Sequence, residues 1–491
     1  MIVSSSGKNF FLKPFLWRFG NGIGLSEFRS FSYSSCIRQI VGNESESSSS
    51  TRKLSSVKID SLDQILAESI KTTGPIPLSS YMKQCLTHPE LGYYTTRDPL
   101  GRVGDFVTSP EISSMFGEMI GIWLYATWIA QGRPLDVQFV EFGPGKGTLL
   151  YDALKCFNKL DKNQNLNRIK IVLVEASPVL RNEQFKKLCC EDGSRDKNLI
   201  EKDEGGLYES RTIWDNKIEW VETEKDIIND PIFTNYIIAH EFFDALPIHQ
   251  FEKTGKGWRE YLVDYSVPTL ENSLILPSQS NYRISPQLGL EKINSKATFH
   301  MVLSPHETLS SSIPKSSPRF DSLPVGSRIE ICPDSYLYSK KISELITCNE
   351  KHTGAALIID YGPKDTVPIN TLRGIKLHNI CSPFVDPGSV DLSADVDFEN
   401  LKIIFNENGC ESFGPTPQGD WLHELGIGFR VDQLCHARRN NKEEKEKIIK
   451  SYKRLVGKGT NEMGSIYKFL GVIPKKCGFT PVGFGGNARN I

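Results

Sequence analysis

The stretch Val137-Gln-Phe-Val-Glu-Phe-Gly-Pro-Gly-Lys-Gly147 leads from a short apolar segment directly into a glycine-rich turn. The apolar residues 137–142 predict a buried β-strand, and residues 148–160 follow a helical pattern. Gly143 and Gly145 lack a Cβ, so the backbone there can adopt positive φ and approach a ligand closely. A strand, a glycine turn and a helix in this order are typical of a ligand site at the carboxyl edge of a parallel sheet.

The sequence around this turn alternates between strand-like and helix-like segments. Strands are predicted at 169–175, 217–221, 235–239, 328–331, 355–360 and 465–472, and helices at 113–130, 178–189, 334–347, 419–437 and 442–456. This alternation predicts an α/β fold with a doubly wound parallel sheet and helices on both faces. Polar sequence rich in serine and proline interrupts the pattern between residues 252 and 325, which we interpret as an insertion.

A chain of 491 residues is too long for one ordinary domain. We expect a transit peptide and disordered linker over residues 1–50 and an N-terminal helical or lid region over residues 51–135. The first part of the α/β domain is expected at 136–251, the insertion at 252–325 and the second part of the domain at 326–491.

Composition excludes several classes of protein. The net charge is −1 and 39% of the residues are hydrophobic, so no global charge attracts nucleic acid or an anionic membrane. No apolar run of about 18 residues predicts a membrane span. The 11 cysteines follow no metal-binding or disulfide spacing, which indicates reduced thiols.

The first 42 residues carry five basic residues and one acid among many serines. This composition predicts an organelle transit peptide, mitochondrial rather than plastid, because a cationic segment is drawn by an inside-negative membrane potential. The alternative is a disordered tail.

Three cofactor classes compete for the glycine turn. A Walker loop needs Ser or Thr after its lysine, and here Gly147 follows Lys146. In a dinucleotide fingerprint the third glycine would come one residue later. Glu-x-Gly-x-Gly-x-Gly is the form found with S-adenosylmethionine, whose ammonium and sulfonium suit an acid such as Glu141. The next strand ends at Glu175, which can accept hydrogen bonds from ribose hydroxyls. We therefore expect cofactor contacts from Glu141, Gly143, Gly145, Gly147 and Glu175; a purely structural turn is the alternative.

Further segments make the chain resemble a known family, the MidA-like mitochondrial complex I assembly factors. They are Gly104-Asp-Phe-Val-Thr-Ser-Pro-Glu-Ile-Ser113, Phe116-Gly-Glu118, residues 141–149, Val174-Glu-Ala-Ser-Pro178, Glu241-Phe-Phe-Asp-Ala-Leu-Pro247, Ile359-Asp-Tyr-Gly362, Thr371-Leu-Arg-Gly374 and Asp391-Leu-Ser-Ala-Asp-Val-Asp-Phe398. The set covers residues 70–472, and Glu-Phe-Phe-Asp-Ala-Leu-Pro is its most specific member. The sequence departs from the family at His240, where Asn is usual, at Lys146, where Arg is more frequent, and at Asp395, where His is usual.

The resemblance implies a class I methyltransferase, Rossmann-like, with an N-terminal helical extension and an inserted substrate-side subdomain. It implies a type II protein-arginine methyltransferase that uses S-adenosylmethionine in the mitochondrial matrix. Its protein substrate would be a core subunit of the complex I iron–sulfur fragment, which is dimethylated symmetrically on one arginine during assembly. A homodimer is compatible with the resemblance, and neither a nucleic-acid partner nor a membrane span is expected.

The chemistry of arginine methylation favours acids after the strand at 235–239. Carboxylates can hold a guanidinium bidentately and accept its leaving proton, and Glu241 and Asp244 are the candidate catalytic pair. The structural alternative is that Glu241 supports Phe packing and Asp244 caps a helix. Asp360 is a further candidate for the cleft. His-Glu-x-x-Asp is not a standard ligand run, so no metal is expected.

Asp105, Thr108 and Glu111 could form a lid over the cofactor, although a surface turn explains them nearly as well. Two other functions stay open from the sequence. One is a non-catalytic assembly chaperone that binds the same subunit, which the changes at His240 and Asp395 allow. The other is a nicotinamide oxidoreductase, which the glycine spacing disfavours.

Overall fold

The computed structural model describes residues 61–96, 107–161, 166, 168–190, 200–201, 208–266 and 299–486. All described residues belong to one compact unit, Ile59–Ile491. The expected transit peptide and linker lie outside the described residues, as does Asp105.

The elements are numbered along the described chain. The strands are β1 (Ile76–Pro77), β2 (Asp136–Phe142), β3 (Arg168–Val174), β4 (Ile200–Glu201), β5 (Tyr208–Arg211), β6 (Lys217–Val221), β7 (Thr234–His240), β8 (His249–Thr254), β9 (Gly257–Tyr265), β10 (Phe299–Leu303), β11 (Arg328–Ile331), β12 (Gly354–Tyr361), β13 (Arg373–Lys376), β14 (Asn379–Cys381), β15 (Asp391–Ser393), β16 (Cys410–Pro417) and β17 (Tyr467–Pro474). The helices are α1 (Leu62–Thr73), α2 (Leu78–Thr87), α3 (Tyr93–Thr96), α4 (Ser109–Ile112), α5 (Ser114–Ala130), α6 (Thr148–Leu160), α7 (Pro178–Cys189), α8 (Ser312–Lys315), α9 (Asp334–Thr347), α10 (Phe398–Glu407), α11 (Gln418–Glu424), α12 (Ile427–Ala437) and α13 (Lys442–Val456).

The central sheet has nine strands in the order β16-β17-β12-β7-β2-β3-β6-β5-β4. Its five middle strands, β12 to β6, are parallel, and antiparallel strands flank them on both sides. The chain order reverses between β2 and β7, and in open α/β sheets ligands bind at the carboxyl ends of strands beside such a reversal. The predicted doubly wound sheet is confirmed.

Separate hydrophobic cores cover the two faces of this sheet. One core joins the sheet to α5, α6, α7 and the C-terminal helices α11 to α13, and it contains four tryptophans, at positions 123, 128, 220 and 421. The other joins it to α9 and α10. The middle strands β7 and β12 are buried along their whole length, because helices cover both faces, and this explains their nearly continuous apolar sequence.

Two glycines set the approach of α5 to α6. A Cβ on Gly117 would lie 2.6 Å from Cβ of Asp152, and one on Gly121 would lie 2.4 Å from the carbonyl oxygen of Ala153. Both separations are shorter than van der Waals contact. Only glycine therefore lets these helices pack so closely beneath the glycine turn, which immediately precedes α6.

The inserted sequence contributes strands to a second, antiparallel sheet. This sheet contains β1, β9, β8 and β11 in that order, with β10 paired to β9. The expectation that residues 328–331 resume the central sheet is wrong, since β11 pairs with β8. Its length and apolar alternation suit either sheet, and sequence periodicity alone does not reveal the partner strand. Apart from β1, which comes from the N-terminal region, the strands of this sheet therefore run from β8, which begins before residue 252, to β11, which lies after residue 325.

A third sheet, β14-β13-β15, was not predicted from the sequence. Its strands have only three or four residues, which is too short for a clear alternation. None of the helices in the described part of the chain is long and apolar enough to cross a membrane.

Candidate functional site

The glycine turn after β2 has the backbone that its sequence predicts. Gly143, Gly145 and Gly147 have φ values of 62°, 53° and 75°, a region that other residues rarely adopt. The N–H of Gly143 donates to the carbonyl of Val174 at 3.1 Å. A Cβ on Gly143 would lie 3.0 Å from Cδ2 of Phe242, so this glycine also permits contact with the turn after β7.

Gln184 on α7 fixes the glycine turn to the end of β3, a role that sequence reasoning missed. Its Nε2 donates to the carbonyl of Gly145 at 2.7 Å and to Oε2 of Glu175 at 3.1 Å. Its Oε1 accepts from Nε1 of Trp220 at 2.9 Å. A buried glutamine on a helical stripe is a weak sequence signal, because only the folded chain shows what it joins.

Glu175 follows β3 and is almost fully buried. Its Oε1 accepts from the N–H of Ser177 at 2.8 Å. Burial raises the pKa of its carboxyl to about 7, while the bonds from Ser177 and Gln184 lower it. A carboxylate has about four acceptor positions, so Glu175 retains capacity for hydroxyl donors.

Glu141, one residue before the end of β2, is 2% exposed. Its Oε2 is buried and has no hydrogen-bond partner among the described residues. Burial raises the pKa of this carboxyl well above its ordinary value. A buried carboxyl oxygen without a donor is costly for folding, so Glu141 is suited to accept a hydrogen bond from a bound ligand.

The turn after β7, residues 240–244, is held by Asp360 at the end of β12. Its Oδ2 accepts from the N–H groups of Phe242 at 3.2 Å and Phe243 at 3.0 Å, and its Oδ1 accepts from the N–H of Tyr361 at 3.0 Å. The suggestion that Asp360 faces the cleft is therefore wrong: it is fully buried and both oxygens accept backbone N–H groups. We refer to residues 240–244 as the acid turn.

Glu241 begins the bend of the acid turn in a strained conformation. Its φ is 50°, and its N–H donates to the carbonyl of Ile359 at 2.9 Å. Burial and the neighbouring charge of Asp244 raise the pKa of its carboxyl to about 8, while the nearby Tyr467 hydroxyl and Ser109 N–H act to lower it. Its Oε1 is nevertheless buried without a hydrogen-bond partner among the described residues.

Asp244 lies close to Glu241 at the other end of the acid turn, and no helix begins there, so it is not a helix cap. The hydroxyl of Tyr361 donates to its Oδ2. Burial raises its pKa to about 6, whereas the hydrogen bond from Tyr361 and the charge of Arg373 lower it. Its Oδ1 is buried with no hydrogen-bond partner in the described chain.

The residues that depart from the family occupy different positions. His240 is 7% exposed, and its Nε2 lies 3.4 Å from Oε1 of Glu241. Asp395 is further out and forms an ion pair of 2.8 Å with Arg373, whose guanidinium stacks over the Tyr361 ring at 4.6 Å. Asp395 is therefore connected to Asp244 of the acid turn through Arg373 and Tyr361.

Part of the segment suggested as a lid, at the beginning of α4, lies near Glu241. Thr108 directly precedes α4, and the N–H of Ser109 is near enough to lower the pKa of the Glu241 carboxyl. Glu111 is half-buried within α4. In the described residues, no group of three or more His, Cys, Asp and Glu side chains could hold a metal ion.

Comparison with solved structures supports the fold. A Burkholderia thailandensis protein described as a "likely methyl transferase", solved with S-adenosyl-homocysteine bound, superposes with a TM-score of 0.64 over 88% of this chain and 96% of its own. The identity is 20%, so this likeness concerns the fold. The predicted class I methyltransferase architecture is confirmed.

Sequence comparison identifies the family. Residues 119–416 match the model of a family described as S-adenosyl-L-methionine-dependent methyltransferases. The mitochondrial protein arginine methyltransferase NDUFAF7 of Xenopus tropicalis is 33% identical over 88% of this chain and 90% of its own length. The human protein of that name is 34% identical over 82% of this chain and 81% of its own. This chain therefore belongs to the MidA-like family of S-adenosylmethionine-dependent methyltransferases, and its cofactor is S-adenosylmethionine.

Proposed function

We propose that this chain transfers methyl groups from S-adenosylmethionine to an arginine side chain of a protein, with Glu241 and Asp244 holding the guanidinium. The observation that carries the proposal is the pair of unsatisfied oxygens on the acid turn, Oε1 of Glu241 and Oδ1 of Asp244. Two buried acids three residues apart, each with one oxygen that has no donor among the described residues, suit a planar cation with several N–H groups. The names of the relatives point to the same substrate class.

The residues around the glycine turn fit the cofactor. The unsatisfied Oε2 of Glu141 suits a cationic donor, which the ammonium of S-adenosylmethionine provides. Positive φ at Gly143, Gly145 and Gly147 leaves the backbone open to close approach, and Glu175 can accept from ribose hydroxyls. We assign cofactor binding to these five residues. When bound, S-adenosylmethionine supplies an electrophilic methyl group on a sulfonium.

The acid turn supplies what a guanidinium needs as a nucleophile. At neutral pH the free group is protonated and its lone pairs are delocalised, so it reacts poorly without help. Glu241 and Asp244 can fix its plane and thereby provide proximity and orientation. One of the two carboxylates accepts the proton that the nitrogen loses on methylation. Asp360 and Tyr361 hold this pair in place through the hydrogen bonds described above.

The chain is mitochondrial, in agreement with its basic N-terminal segment and with its relatives, including the Drosophila melanogaster protein. We further propose that it acts in the matrix on a core subunit of the complex I iron–sulfur fragment, supporting complex I assembly. The product would be symmetric dimethylarginine. This assignment rests on the family resemblance of the motifs at 104–113, 241–247 and 391–398.

A labelled methyl donor incubated with the chain and the recombinant subunit tests this function. We expect the label in symmetric dimethylarginine after hydrolysis and chromatography, and none with the Asp244→Asn variant. Label on another residue type would contradict the arginine assignment. Binding of the subunit without any label would favour the non-catalytic chaperone.

A further inference from the structure

His240 is a buried histidine to which the proposed methyl transfer assigns no role. It is the last residue of β7, and its ring packs against Phe116 with 5.4 Å between the ring centroids. Burial lowers its pKa to about 3, so the imidazole is neutral at physiological pH. A neutral imidazole carries one N–H donor and one acceptor nitrogen.

One edge of the His240 ring lies close to the carboxyl of Glu241. Nε2 of His240 lies 3.4 Å from Oε1 of Glu241, and each atom is buried without a hydrogen-bond partner in the described part of the chain. The backbone holds both residues at the junction of β7 and β12, since His240 pairs with Ile359 in the sheet and Glu241 donates its N–H to the carbonyl of the same residue.

Other groups around Glu241 also affect the ionisation of its carboxyl. The Ser109 N–H and the Tyr467 hydroxyl lower the pKa of the Glu241 carboxyl, while the charges of Asp244 and Asp391 raise it. The side chain packed on His240 from α5 is the uncharged Phe116. An N–H of His240 brought into line with Oε1 therefore offsets some of the cost of ionising this buried acid.

We propose that His240 is a positioning residue for Glu241, donating Nε2–H to Oε1 when the carboxylate ionises and thereby strengthening its binding of a substrate guanidinium. This inference rests on the proposed function of the acid turn. The donor does not compete with the substrate, because a carboxylate oxygen has two lone pairs. The structural alternative is that His240 only fills space between α5 and the sheet.

Binding of N-acetyl-arginine methylamide, followed by NMR titration from pH 6 to pH 9 without cofactor, separates these readings. Affinity of the native chain rises with pH as Glu241 ionises. In His240→Leu we expect the rise to move about one pH unit higher, so that affinity at pH 7 falls about tenfold. His240→Asn, which restores an N–H donor, recovers most of the loss.

A double-mutant cycle identifies the residue through which His240 acts. In a Glu241→Gln background, His240→Leu should cause no further loss of probe affinity. Equal losses in both backgrounds, or an unshifted pH curve in His240→Leu, would overturn the proposal. Circular dichroism and thermal melting check folding, and if Leu prevents it, the comparison of His240→Gln with His240→Met gives the same decision.

These outcomes separate the two proposals. If the native chain binds the probe with the expected pH curve but labels no arginine, arginine methylation fails and the His240 inference stands. If it labels arginine while His240→Leu keeps the native curve, only the His240 inference fails. Absence of probe binding by the native chain overturns the His240 inference.

Discussion

The glycine turn and the acid turn lie at the carboxyl ends of neighbouring strands, β2 and β7, yet they are stabilised in different ways. In the glycine turn, Gln184 and the backbone satisfy most polar groups, and Oε2 of Glu141 stays unsatisfied in the described chain. In the acid turn, His240, Glu241 and Asp244 each have an unsatisfied buried atom, and Glu241 has strained backbone. The first turn is a cradle held by hydrogen bonds within the protein. The second concentrates buried acids with unsatisfied oxygens, which in our proposal a substrate cation completes.

The largest expected effect separates the two turns by function. Asp244→Asn or Glu241→Gln should reduce methyl transfer about 10²- to 10⁴-fold, because the guanidinium loses a charged acceptor and the leaving proton loses its base. Cofactor affinity, measured by calorimetry, should stay near the native value. Glu411→Gln, at an exposed acid, is the matched control. A comparable loss of cofactor affinity would show that the turns are not independent.

A second substitution should affect the glycine turn first. Gly145→Val places a β-branched side chain at φ 53° where the cofactor needs close approach, so cofactor affinity should fall about 100-fold or more. Gly132→Val imposes similar strain at φ 80°, with open space around its Cβ. Calorimetry should show native affinity in this control. Native affinity in Gly145→Val would place the cofactor elsewhere.

Substitution of Gln184 should weaken cofactor binding less than substitution of Gly145. Gln184→Leu removes donors to Gly145 and Glu175 and should weaken cofactor binding about tenfold. The pKa of Glu175, about 7 in the native chain, should rise because a hydrogen bond to its charged form is lost. The affinity loss should therefore be larger at pH 6 than at pH 9. A loss independent of pH would mean that Gln184 acts only by packing.

The smallest effect concerns stability. Because burial raises the pKa of Glu241 from 4.5 to about 8, the folded chain retains a proton that the unfolded chain releases. Its contribution to stability is present below pH 4.5 and is lost as the pH rises towards 8. Glu241→Gln should therefore melt roughly 2 °C higher than the native chain at pH 8, and equally at pH 4. A lower melting temperature of Glu241→Gln than of the native chain at pH 8 would contradict a cost of ionising Glu241 in the folded chain.

The cradle was the more predictable of the two turns. Its contacts are local: a strand, three glycines and an acid at the next strand tip can be read from residues 137–147 and 169–175. The central sheet was also predictable, because its parallel strands are apolar segments that alternate with helical ones. The partner of β11 and the sheet of β13, β14 and β15 could not be predicted, since their short strands carry little periodicity.

The acid turn was predictable in composition but not in energetics. Glu241 and Asp244 stand out in the sequence and in the family motif, and the structure brings them together. The anchoring of the turn by Asp360 depends on a residue more than a hundred positions away, and so does the contact from Tyr361. Distances in sequence of that size leave no local pattern, so only the fold shows which acids are satisfied.

Proton release on binding of a guanidinium tests the central claim most directly. Titration calorimetry with N-acetyl-arginine methylamide in buffers of different ionisation enthalpy counts these protons. At pH 7 the native chain should release about one proton, since Glu241 is mostly protonated before binding and ionised afterwards. Glu241→Gln should release far less. Binding without proton release, or equal release by both proteins, would contradict an acid turn that the substrate cation completes.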